Sequence, residues 1–448
     1  MRAQTVEDEL RAMRAEIAEL RGEVKSLREE LHHNATATPV ETAAAAPLPQ
    51  AQAAPAAVAQ AVAVSPEVIE NQAANLSMVQ SQVAELAQTK VESNSKMSVK
   101  IFGTILSDTF YNSGDTNWAD NPSTALAPGT PDNDGFLSSS LRQSRIGLTV
   151  EGPTIGSMKT SAVVAVDFYG GTTVYQTSSV FGLPRLLYGY VRLDGTRTAF
   201  EAGQDAMIFA SKSPTSIASL AFPELYEAGS LYLQTPQLRL ERQVIQSQSG
   251  SLSMALGLVA PVSTYPTPST SYTGGYEPWL KPALQGRLAW KSSESSLGEG
   301  KGWEVGVSGH YGREQFEDET EASWGNAVDF DAHVGRFGFG AEGFRGQNLE
   351  TMGGSVGAPG KAIGGFFEGR FKATSRLHFN AGMGTDQVLQ RYDLLGTVHK
   401  NTGLFGNAIF RFTPELSTSV EYRPLDTSLF SRQVMHNNHF DLVVAYSF

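Results

Sequence analysis

From about residue 97 to the C-terminus, large apolar residues recur at every second position with few interruptions. A period of two marks a strand whose two faces meet different surroundings. In SRIGLTVEG (144–152), Ile146, Leu148 and Val150 alternate with Arg145, Gly147, Thr149 and Glu151. In SLSMALGLV (251–259), Leu252, Met254, Leu256 and Leu258 alternate with small residues. About sixteen such runs, each near ten residues, are separated by short turns and by longer Gly- or Pro-rich segments such as 113–139 and 262–281. That length fits a strand tilted across a bilayer. A soluble sandwich or propeller would use strands of about five or six residues. The expected fold is all-β: a transmembrane antiparallel β-barrel of about 16 strands over 97–448, with an N-terminal α-helical coiled coil.

The chain ends inside such a run. Phe440, Leu442, Val444, Tyr446 and Phe448 share one face of HFDLVVAYSF. A closing strand pairs with the first strand and leaves no residues over, so its apolar face is expected to meet lipid. A terminal aromatic after alternating apolar residues is also what bacterial outer-membrane barrels offer to their assembly machinery, which makes Phe448 the expected recognition point. Trp279, Trp290, Trp303 and Trp324 fall near expected strand ends, as aromatic girdles require.

Composition agrees. The chain is 41% hydrophobic, its mean hydropathy is −0.20, and no run approaches the ~20 apolar residues of a spanning helix. The net charge of −12 argues against nucleic acid as a partner. With no cysteine there are no disulfides or thiolate metal sites. MRAQTVEDEL lacks the apolar core of a secretory signal, the one feature at odds with export.

Ahead of the barrel, residues 1–33 read as a coiled coil. Leu10, Ile17, Val24 and Leu31 occupy a, and Val6, Met13, Leu20 and Leu27 occupy d. Glu9, Glu16 and Glu23 at g face Arg14, Arg21 and Arg28 at e, the pattern of a parallel homo-oligomer. The a/d residues leave dimer and trimer open, and a single helix packed on its own domain is the alternative. Residues 34–65 form an Ala/Pro-rich linker, and 66–96 a second short coiled coil or stalk.

Three local segments carry a family resemblance. LRQSRIGLTVEGP (141–153) resembles an early strand led by an arginine pair, FEAGQDAMIF (200–209) a Gly-Gln entry to an inward-folded loop, and TPQLRLERQ (235–243) the strand after it. With the order coiled coil then barrel, the chain resembles the DcaP-like trimeric porins. The resemblance implies a homotrimer in the bacterial outer membrane, its coiled coil in the periplasm. It also implies a constriction loop over about 206–228, carrying Lys212, Glu224, Tyr226 and Glu227, and a cargo of small anionic, carboxylate-type solutes. Phosphate-selective porins are a neighbouring family, but their lysine-rich constriction is not evident here.

Alternation assigns lumen charges directly. Arg145, Arg192, Arg197, Arg239, Arg287, Arg370 and Arg411 lie opposite the apolar sets of their strands, as do Asp167, Glu201, Glu241, Glu304, Glu368 and Glu421. A midplane Arg facing lipid would cost ~2–4 kcal/mol. Such guanidinium groups can attract carboxylates, or they can simply pair with neighbouring acids. Acidic residues outnumber basic ones in the barrel region too, so overall charge does not favour anions. No enzyme, cofactor or metal site is expected. Ser308 and His310 share a strand face without a supporting motif. DNDG (132–135) and DFDAH (329–333) are acidic segments that could bind calcium in outer loops. The competing function is a structural tether whose oligomeric stalk contacts the cell envelope.

Overall fold

The computed structural model describes residues 97–129, 135–171, 182–261, 281–293, 300–316, 319–356, 359–389 and 396–448. Both heptad segments and the linker lie outside these residues, as does Trp279.

The first half of the chain supplies β1 (Ser98–Asn112), β2 (Phe136–Ser140), β3 (Arg145–Glu151), β4 (Lys159–Asp167), β5 (Arg185–Asp194), β6 (Thr198–Ala206), β7 (Gln234–Gln246) and β8 (Gly250–Val259). The second half supplies β9 (Ala283–Ser292), β10 (Lys301–Phe316), β11 (Glu319–Val334), β12 (Phe337–Gln347) and β13 (Lys361–Lys372). It ends with β14 (Leu377–Val388), β15 (Val398–Arg411), β16 (Leu416–Leu429) and β17 (Val434–Ser447). Each strand pairs antiparallel with the next, except that β2 and β3 both pair with β1, and β1 pairs with β17 to close the cylinder. Phe448 completes the seam: its N–H donates to the Gly103 carbonyl at 3.0 Å, and its own carbonyl accepts from Gly103 at 2.9 Å.

Seventeen segments make sixteen barrel strands, because β2 and β3 both pair with β1 along one line. Between them, Leu141–Ser144 bulges out of the ladder. A bulge re-aims side chains. Here it buries Gln143 and places Arg142 against Asp120 of the first loop.

The walls alternate as the period of two demands. On β17, Phe440, Leu442, Val444 and Tyr446 are exposed, whereas Asn437, His439, Asp441, Val443 and Ala445 are buried on the lumen side. Trp290 and Trp303 lie on the outer face towards the end that carries the turns, and Tyr311 and Trp324 pair on it towards the opposite end. Long connections gather at that loop end, among them L1 (113–135), L2 (168–184), L3 (207–233) and L6 (348–360); short ones gather with Phe448 at the turn end. No described helix is long and apolar enough to cross a membrane.

Two sequence assignments change. DFDAH is not a loop: Asp329 and Asp331 lie within β11, facing the lumen. Arg197 is not on a strand: it is exposed in the turn between β5 and β6, where its carbonyl accepts from the Gln243 N–H at 2.8 Å.

Candidate functional site: the L3 constriction

L3 leaves β6, folds into the barrel and follows its inner wall. Its first residues are held by β9 and β10: the Gln285 amide oxygen accepts from Ile208 and Phe209 N–H at 2.9 and 3.2 Å, and Ser308 Oγ from Ala210 N–H at 3.1 Å. The carboxylates of β12, β13 and β16 take over. Glu342 accepts from Lys212 N–H at 3.1 Å, Glu368 from Thr215 N–H at 2.8 Å, and Glu421 from the Ser216 hydroxyl at 2.6 Å. Gln143 then accepts from Leu220 and Ala221 N–H and donates to the Ala218 carbonyl at 2.7 Å. Finally Arg423 meets Glu224 at 3.2 Å, Asn401 donates to the Glu227 carbonyl at 2.8 Å, and the Ser123 hydroxyl donates to the Glu227 carboxylate.

Glycines let the loop approach this closely. Gly325 leaves the space that the Phe209 ring fills, and a Cβ on Gly403 would lie 2.8 Å from Leu225 Cδ2. Phe209 and Leu231 pack with Phe344, Leu349 and Met352, and Leu225 packs with Phe366, Phe405 and Leu425. The apolar content of L3 therefore docks against the wall and L6. Above it, Trp118 of L1 stacks on Phe222 at 4.7 Å, and Phe222 stacks on Tyr226 at 4.7 Å. Burial raises the Glu227 carboxyl above the ordinary range, offset in part by the Ser123 hydroxyl.

Most lumen arginines are paired. Arg192 contacts Asp194, Glu201 and Glu241 at 2.9, 3.0 and 2.6 Å. Arg239 meets Asp205 at 3.1 Å and Glu241 at 3.5 Å. Arg287 reaches Asp329 at 2.6 Å and shares Glu304 with Lys212 of L3. Arg370 reaches Asp331 and Glu368, and Arg411 meets the imidazole of His378. Arg145 differs. It faces the lumen opposite Thr104 and Asp167, half buried, and no described carboxylate lies within ion-pair distance. Its charge, with those of Arg185 and Asp167, acts on the Tyr232 hydroxyl of L3.

Several groups were not singled out from sequence. Gln143 and Arg142 depend on the bulge. Arg185 bonds Asp167 at 2.6 Å and lies 4.8 Å over the Phe222 ring, contacts that no alternation pattern encodes. Ser308 and His310 do not pair with each other. Ser308 holds L3, while His310 bonds Gln285 and Ser323. No acidic or histidine cluster among the described residues could hold a metal ion.

Neither a family profile nor any curated protein sequence matches the chain. Solved structures do. The outer membrane channel DcaP of Acinetobacter baumannii superposes with a TM-score of 0.62 at 17% identity, covering 80% of this chain and 99% of that one. The fold is that of a sixteen-stranded porin. OmpF of Salmonella typhi, solved in complex with daunomycin, gives 0.53 at 9% identity over 80% and 99% of the two chains. An anion-selective porin from Comamonas acidovorans gives 0.50 at 10% identity over 79% and 100%. The resemblance to DcaP-like porins read from three short segments holds at the level of the fold.

Proposed function

We infer that this chain is an outer-membrane porin that passes small hydrophilic solutes by diffusion and favours carboxylate-bearing anions. The observation that carries this reading is Arg145. A guanidinium group on the lumen wall, without a carboxylate partner among the described residues, is free to exchange water for a passing anion, bidentately where the solute is a carboxylate. Arg192, Arg239, Arg287 and Arg370 contribute no net attraction of this kind, since each already faces a carboxylate; Arg411 faces only the imidazole of His378.

L3 supports the reading as a rigid constriction. Wall side chains accept from the backbone N–H groups of Ile208, Phe209, Ala210, Lys212, Thr215, Leu220 and Ala221, so the aperture is set by the wall and not by a loose loop. The reading extends to a homotrimer with a periplasmic coiled coil, and to assembly machinery that reads the C-terminal strand through Phe448, whose side chain is exposed.

Liposome swelling tests it. Vesicles holding the refolded protein should swell faster in a small dicarboxylate than in a neutral sugar of similar size. A correctly inserted barrel that admits neither would contradict the proposal.

A further inference from the structure

Among the described strand positions of the outer face near the loop end, the basic residues fall in one sector. Arg313 on β10, Arg345 on β12, Lys361 on β13 and Lys400 on β15 are all exposed, and none has an ion-pair partner among the described residues. The ladder puts Asn326, Arg345, Ile363, Gln387 and Lys400 in one row, each the register partner of the next. Lys361 sits two residues from Ile363 towards the loop end. At ~4.8 Å per strand, Arg345 and Lys400 are about 14 Å apart, with Lys361 between them.

Described outward positions on this half of β10–β15 hold no carboxylate; the neighbouring Asp426 on β16 is taken by His436 at 2.7 Å. Across the barrel, the corresponding positions on β1–β9 are uncharged, including Tyr111, Leu137, Gln204, Leu258 and Leu284. Beneath the row lies apolar surface, with Phe367, Met383 and Leu404 exposed. The girdle pair Tyr311 and Trp324 flanks it.

Cations in lipid-facing positions are expensive unless an anionic headgroup meets them. We propose that the β10–β15 sector is a docking surface for a phosphate-bearing glycolipid of the outer leaflet, its phosphates bridging Arg345, Lys361 and Lys400 and its acyl chains lying over the apolar surface below. The proposal rests on the porin reading only for which leaflet meets the loop end. Each Lys or Arg near a charged lipid surface contributes ~1 kcal/mol, so losing three should weaken retention by about a hundredfold.

The test reconstitutes the full-length protein in phosphatidylcholine vesicles with and without diphosphorylated lipid A. Retained lipid is then read by native mass spectrometry after detergent extraction, and thermal unfolding is recorded in parallel. The wild type should retain lipid A and unfold at higher temperature in its presence. The R345Q/K361Q/K400Q variant should lose most of that retention while keeping its unfolding temperature in phosphatidylcholine alone. Lys301→Gln, on the outer face at the turn end, should behave as wild type, and inorganic phosphate should change nothing. Equal retention by the triple variant, or equal retention of dephosphorylated lipid A, would overturn the proposal. Conductance of the same samples reports separately on the porin reading.

Discussion

Glu368, in the wall on β13, accepts hydrogen bonds from both the backbone N–H and the hydroxyl of Thr215, at 2.8 and 3.2 Å. One carboxylate thus fixes the middle of L3 by two bonds, and its other neighbour is Arg370 at 3.6 Å. A hydrogen bond to a charged group contributes ~1.5–3 kcal/mol. Glu368→Ala should therefore free the loop without opening the barrel. Single-channel records should show larger current fluctuations, and proteolysis within L3 should speed up, while heat-modifiable mobility stays that of a folded barrel.

The fit of Phe209 against Gly325 predicts a second loosening. Overpacking a tight contact costs ~1–3 kcal/mol, and a side chain at Gly325 would claim the space the Phe209 ring occupies. Gly325→Val should displace the start of L3. Phe209→Ala in the same chain should restore part of the loss, a coupling that a double-mutant cycle on thermal stability would measure.

Glu227 sets a pH dependence. Its carboxyl is raised from 4.5 by burial, so the folded state holds the proton longer than the unfolded chain. A raised acid contributes its full stability at low pH and loses it as pH climbs from the ordinary carboxylate value towards the folded one. L3 protection, followed by hydrogen exchange, should therefore fall across that window. Glu227→Gln, which stays neutral, should flatten the fall. An unchanged slope would contradict the burial argument.

Much of this molecule is legible in its sequence because a barrel has a simple rule: lipid outside, water and side chains inside. Alternation placed Arg145, Arg192, Arg239, Arg287, Arg370 and Arg411 on lumen-facing strand positions, where the structure has them. The rule fails where the ladder breaks. Gln143 becomes a clamp on L3 only because four residues bulge, and Arg197 sits in a turn that alternation read as strand. Pairing is also invisible from one strand, since Arg287 meets Asp329 from a strand more than forty positions later in the chain. Loop 3, expected over about 206–228, spans 207–233, because its second half packs on L1, L6 and the β13–β16 wall before the chain rejoins the ladder at Gln234. The heptads of residues 1–33, with Leu10, Ile17, Leu20 and Leu31 at their seam, lie outside the described residues.

The proposed anion preference rests on Arg145, which has no carboxylate partner among the described residues. Planar-bilayer recording under a salt gradient, comparing wild type with Arg145→Gln and Arg370→Gln, tests it most directly. The wild type should show an anion-biased reversal potential, Arg145→Gln a shift towards cations, and Arg370→Gln a smaller shift. A stably inserted but silent barrel, or a reversal potential that Arg145→Gln leaves unmoved, would contradict it.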